Sequence, residues 1–154
     1  MRKVILSIIG MVMGFILGEK RHIMQLNQME EDNDKFHEFY DVLLQWIKVH
    51  QNGRTLEGYF HKYNYKTIAI YGMKELGVAL WTELKDTGIV VKYGIDNGVN
   101  KTNINVNLFK SKDNLENVDV IIVTAMHDYA DIEMELKDKM KCPIVALNDV
   151  VYEA

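Results

Sequence analysis

Apolar residues change their spacing twice along this chain, and the changes divide it into three parts. Val4–Gly18 is an uncharged run of fifteen residues, bracketed by Arg2 and Lys3 before it and by Glu19, Lys20 and Arg21 after it. The positions His22, Leu26, Met29, Asn33, Phe36, Tyr40, Leu43 and Ile47 then recur at alternating intervals of three and four, the spacing of one helix face. Residues 19–34 are polar, with Glu30, Glu31, Asp32, Asn33 and Asp34 in succession, and read as a loosely ordered stalk. An amphipathic helix comes next, over Lys35–His50, because Phe36, Phe39, Tyr40, Leu43, Leu44, Trp46 and Ile47 form an apolar face too broad to leave in water. The same spacing allows an alternative, one unbroken helix through Ile47 in a short parallel coiled coil, with His22 and Asn33 in its seam. Thr55 can cap a second, short helix through Phe60 or His61, so residues 35–64 form a helical lead-in packed on the remainder of the chain.

From Lys66 the pattern becomes strand alternating with helix. Strands are predicted over Thr67–Tyr71, Ile89–Ile95, Asn105–Leu108, Val118–Thr124 and Pro143–Leu147. Helices are predicted over Glu75–Lys85 and Tyr129–Met140, with a helical turn at Ser111–Glu116 and a last one capped by Asn148. Ile89–Ile95 is a nearly continuous apolar run, as befits a parallel strand covered on both faces. Right-handed crossovers between them give an α/β domain over residues 65–154, a three-layer arrangement with five parallel strands in order 3-2-1-4-5.

The first part reads as a membrane anchor over residues 4–18, with Lys3, Lys20 and Arg21 placed to snorkel outward. Gly10, Gly14 and Gly18 lie four apart, a seam of small residues suited to pairing two copies in lipid. The alternatives are an uncleaved interfacial or core helix and a cleaved signal, for which Leu17-Gly18-Glu19-Lys20 is a poor site. Arg2 and Lys3 pull the anchor's orientation one way and Lys20, Arg21 and His22 the other, and the fold favours a cytoplasmic globular domain. A single cysteine, Cys142, forms no intramolecular disulfide and suits a reducing compartment. With 18 Lys and Arg against 22 Asp and Glu, and no basic stripe, nucleic acid is not an expected partner.

The chemistry concentrates at Gly72-Met73-Lys74-Glu75-Leu76-Gly77, the turn after the first strand. Gly72 and Gly77 stand where a dinucleotide-binding fingerprint has its first and third glycines, while Lys74 replaces the second. Gly72 can make the tight turn, Gly77 lets the helix approach the strand, and the amides near Lys74, Glu75 and Leu76 can face an anion. Asp96 ends the second strand nineteen residues after Gly77, within reach of a ribose diol, which favours NAD over a 2′-phosphorylated cofactor. Thr124, Ala125 and Met126 line the opposite wall, Thr124 with a hydroxyl for a ribose or sugar, and His127 lies at the rim. In the plainer reading the two glycines only build a strand–helix junction, Asp96 ends a strand and Asp128 caps a helix. No Tyr-x-x-x-Lys pair, nucleophile elbow or phosphate-binding Gly-Lys-Ser/Thr loop is present, and the five histidines have no metal-ligand spacing.

Tyr65–Leu84, Val91-Lys92-Tyr93-Gly94-Ile95-Asp96, Val118–Thr124 and Pro143–Asp149 together resemble the small Rossmann-like domains of bacterial surface-polysaccharide biosynthesis. These are similar to the nucleotide-binding part of sugar-nucleotide dehydratases and to the N-terminal module of sugar acyltransferases. Leu43–Lys48 and Leu56–Phe60 resemble the helical lead-in of freestanding members. The resemblance implies a Rossmann-like fold with glycine at positions 72 and 74 and Asp96 meeting a ribose; Gly72 and Asp96 match it, and Lys74 departs from its glycine. The expected function is a noncatalytic, accessory module binding a nucleotide, nucleotide-sugar or sugar phosphate, alone, as a homodimer or beside a biosynthetic enzyme. The alternative is a subunit of an NAD-linked, sugar-nucleotide-modifying oxidoreductase or dehydratase.

Overall fold

A computed structural model of the chain describes residues 2–98 and 103–154, with side chains from Glu19 onward. Helix α1 (Arg2–Gln51) is shared between two units, residues 1–39 and residues 40–154. In the first unit, residues 19–34 are helical and every one of them is exposed. The expected loose stalk is therefore a helix. No Gly or Pro interrupts Glu19–Gln51, helix-favouring Glu, Lys, Gln, Met and Leu recur, and Lys35 pairs with Glu31 one turn back at 2.9 Å.

Among the described residues no helix is long and apolar enough to cross a membrane. This overturns the anchor expected over residues 4–18. The shortfall is one of length, since fifteen helical residues rise about 22 Å against a hydrocarbon core of about 30 Å. The side chains along the Gly10, Gly14 and Gly18 seam lie outside the described residues.

The second unit is α/β. Its strands are β1 (Thr67–Tyr71), β2 (Val90–Ile95), β3 (Leu108–Phe109), β4 (Val120–Val123) and β5 (Ile144–Ala146). They form one five-stranded sheet, parallel throughout, in order β3-β2-β1-β4-β5. Helix α3 (Glu75–Leu84) connects β1 to β2, and α4 (Tyr129–Leu136) connects β4 to β5 after a short 3-10 turn at Met126–Asp128. Residues alternate between the two faces of each strand. Ala69, Tyr71, Tyr93, Ile95, Ile121 and Val123 pack with Ile132 and Leu136 of α4. Ile68, Ile70 and Ile122 turn the other way, the side on which Gly77 of α3 approaches Ile70.

The lead-in buries Val42, Trp46 and Val49 from the end of α1, and Tyr59 and Phe60 from α2 (Glu57–Lys62). Glu83 of α3 ties it down. One carboxylate oxygen accepts the Trp46 indole N–H at 2.5 Å and lies 3.0 Å from Nε2 of His50, while the other accepts the Leu56 N–H at 2.7 Å. Asp119 fastens the N-terminal edge of the sheet by accepting the N–H groups of Lys66 and Thr67 at 2.8 and 2.7 Å. Those backbone donors hold its carboxyl below the ordinary carboxylate range.

Several boundaries move from their sequence expectations. The third strand is Leu108–Phe109 rather than Asn105–Leu108, Ser111–Glu116 forms no helix, and the helix from Tyr129 stops at Leu136. Thr55 caps nothing through its side chain, since the residue before α2 is Leu56. Asn148 lies inside α5 (Leu147–Glu153) rather than in front of it.

Candidate functional site

The turn from β1 into α3 lies at the carboxyl ends of the strands, between β2 on one side and β4 on the other. Gly72 has φ +90°, a conformation that L side chains rarely adopt. A Cβ there would also stand 2.6 Å from Oγ1 of Thr124. Gly72 donates its N–H to the Ile95 carbonyl at 2.8 Å, and its own carbonyl accepts the Thr124 hydroxyl at 2.6 Å. Gly77 sits so close behind that a Cβ would fall 2.0 Å from the same carbonyl oxygen. Gly72, Gly77 and Thr124 thus meet at one peptide group, which sets how tightly α3 can seat on the sheet.

Met73 turns inward and is buried, its side chain occupying the space that a Cβ on Gly94 of β2 would need. Its N–H donates to Oδ2 of Asp96 at 2.8 Å, and Oδ1 of Asp96 accepts the Gly98 N–H at the same distance. Asp96 is only 7% exposed. Its carboxylate therefore locks the end of β2 to the turn after β1, across 23 residues of sequence. Lys74 has φ −86°, accessible to any L residue, and its side chain is exposed. The protein itself does not require a glycine at 74; only a ligand lying against the backbone there would.

Lys74 is the N-cap of α3 and makes no side-chain cap hydrogen bond. The first amides of a helix lack intrahelical acceptors and carry its positive dipole end. Glu75, exposed in the first turn, supplies a negative charge beside them. Leu76 and Gly77 are buried. On the opposite wall Thr124 is buried, Ala125 is half-buried with its N–H near Gly72, and His127 is exposed in the 3-10 turn. The structure thus brings Gly72, Met73, Gly77, Asp96, Thr124 and Ala125 together, and leaves Lys74 and Glu75 on the rim.

A polar network beside this turn has no signal in the sequence. The amide of Asn97 donates to the Tyr71 hydroxyl at 3.2 Å and its oxygen accepts the Ser111 N–H at 3.1 Å. The buried Ser111 hydroxyl donates to Glu135 at 2.6 Å. Lys110 donates to the carbonyls of Asp96 and Asn97, both at 3.0 Å. Burial first, then the carboxylates of Glu135, Asp96 and Asp128, pushes the Tyr71 phenol up and keeps it neutral. These bonds connect residues far apart in sequence, so no local spacing betrays them. Their effect is to fix the ends of β1, β2 and β3 relative to α4.

Among the described residues no group of three or more His, Cys, Asp or Glu could hold a metal ion. Cys142 is half-buried, and burial pushes its thiol up, away from the reactive thiolate. A cleft of about 330 Å³ is lined by Lys112–Leu115, between β3 and β4, and by Lys139 and Met140, after α4, and includes no residue of the glycine turn. Comparison of the chain with protein-family models, curated proteins and solved structures gave no match.

Proposed function

We propose that residues 65–154 form a Rossmann-like module that binds a nucleotide or nucleotide-sugar as an accessory, noncatalytic component of surface-polysaccharide biosynthesis. The observation that carries the binding reading is the uncapped start of α3 at the point where the strand order reverses. Crevices at such points receive ligands in parallel α/β sheets, and a helix N-terminus favours an anionic group. Asp96, Gly72 and Thr124 hold that turn in one geometry, which lowers the ordering cost of binding. The noncatalytic reading rests on the turn's chemistry: the buried Asp96 carboxylate and Thr124 hydroxyl are both engaged in backbone hydrogen bonds. The pathway assignment rests on the sequence resemblance alone.

Lys74 weighs against a bound pyrophosphate lying flat on the turn and favours an anion held from the rim, with the ammonium as a counter-charge. A subunit of an NAD-linked enzyme is the second reading, favoured by Asp96 at the end of β2. Isothermal titration of the full chain with UDP, a UDP-sugar and NAD tests both. Binding of a uridine ligand at about 1 mM or tighter, weakened at least about tenfold by Lys74→Glu, is expected. Tighter binding of NAD than of any uridine ligand would favour the second reading, and absence of binding by all three would overturn both.

A further inference from the structure

Residues 19–39 form a helix whose apolar side chains have no cover within their own unit. Leu26, Met29 and Phe36 are 47%, 68% and 65% exposed. In proteins most helical stability comes from packing an apolar stripe rather than from propensity. With Leu26 as heptad position a, Met29 is d, Asn33 a, Phe36 d, Tyr40 a, Leu43 d and Ile47 a. Tyr40 and Ile47 are exposed as well. Val42 and Val49, which are buried, occupy position c, roughly a third of a turn around the helix from the a/d seam, while the buried Trp46 occupies the flanking position g. Within the second unit, the a positions Tyr40 and Ile47 thus stay off the stripe that serves the α/β core.

We infer that a second copy of this chain covers the seam, as a parallel, in-register two-stranded coiled coil over about residues 22–47. Three features of the register choose that occupant. Asn33 falls at an a position, where in a parallel pair it meets its own copy and the two amides can hydrogen-bond across the seam. An antiparallel helix would set it against an apolar d residue with its amide unpaired. The flanking charges agree. In a parallel pair each g position faces the following e position of the partner, which sets Gln25 against Glu30 and Asp32 against His37. No acid of the Glu30–Asp34 run then meets another across the seam, whereas antiparallel pairing centred there would bring the run against itself. The next such pair is Phe39 with Leu44, which widens the apolar strip at that end.

Sedimentation equilibrium of the full chain over about 5–100 µM tests the pairing, since a dimer's population depends on protomer concentration. A species of twice the 17.9 kDa chain mass is expected, with its dissociation constant raised at least about tenfold by Leu26→Lys or Phe36→Glu. Both side chains are exposed in the single chain, so its fold should be indifferent to either change, and the melting of the α/β unit checks this. Direction is read separately, in a Cys142→Ala background, from Leu26→Cys and Phe36→Cys made one at a time. Both should give disulfide-linked dimers in a glutathione redox buffer, because a parallel pair sets every seam position against itself. A monomer across the range, an assembly of any other size, or a dimer indifferent to both charge substitutions would overturn the pairing. Crosslinking at one position only, or at neither, would overturn the parallel register.

Discussion

Replacing Gly77 by alanine should destabilise the protein, while the same change at Gly58 should stabilise it. Both glycines lie in helices, α3 and α2, and on propensity alone alanine is favoured at each by up to about 1 kcal/mol. Surroundings decide the sign. A Cβ at Gly58 meets nothing within 4 Å, whereas one at Gly77 falls 2.0 Å from the carbonyl oxygen of Gly72. That oxygen belongs to backbone, held by the Thr124 hydroxyl at 2.6 Å, so relief requires α3 to lift from the sheet. Overpacking of this kind costs about 3 kcal/mol at the upper end of the usual range. Set against the propensity gain, Gly77→Ala should lose about 2 kcal/mol, lowering Tm by about 4–8 °C, and Gly58→Ala should raise it by about 2–4 °C. Thermal denaturation followed by far-UV circular dichroism reads both. A Gly77→Ala variant melting at or above wild type would refute the close packing of α3 on the turn.

Glu83→Ala should cost about 1–3 kcal/mol in urea denaturation, because the Trp46 indole and the Leu56 amide lose their acceptor, and Trp46 fluorescence should shift in the folded state. Thr124→Val, nearly isosteric, should cost about 1–3 kcal/mol by stranding the Gly72 carbonyl, an effect absent if water replaces the hydroxyl. Asp119 has a depressed folded-state pKa, so its contribution is present above the unfolded value near 3.9 and is lost as pH falls through the folded one. The stability gap between wild type and Asp119→Ala should accordingly be full at about pH 6 and shrink below about pH 4. A gap that stays constant down to about pH 2 would exclude that linkage.

The sheet is legible in the sequence because buried parallel strands are written as apolar runs: Thr67–Tyr71 and Val118–Thr124 contain the observed β1 and β4 and lie side by side at the centre. The edge is not. β3 pairs with β2 through two residues only, and the polar Asn105 and Asn107 around it leave little periodicity to read. Residues 19–34 are helical although their polarity suggests disorder, because helix-formers without Gly or Pro suffice for a helix. At the turn, the glycine spacing marks the tight β1–α3 junction, but the role of Asp96 depends on folding: its spacing suggests a ribose, and in the structure it accepts the Met73 and Gly98 amides. Met73 is legible as part of the turn but not as the side chain that fills the space over Gly94. The Asn97–Ser111–Glu135 network joins three separate segments and has no one-dimensional trace.

Binding at the β1–α3 turn is most directly tested by monitoring the backbone amide resonances of the isotopically labelled full chain during titration with a UDP-sugar. Saturable shifts at Lys74, Glu75, Leu76 and Ala125, complete by about 5 mM ligand, are predicted. Unmoved resonances at that concentration, or shifts confined to Lys112–Leu115, Lys139 and Met140 around the separate cleft, would contradict it.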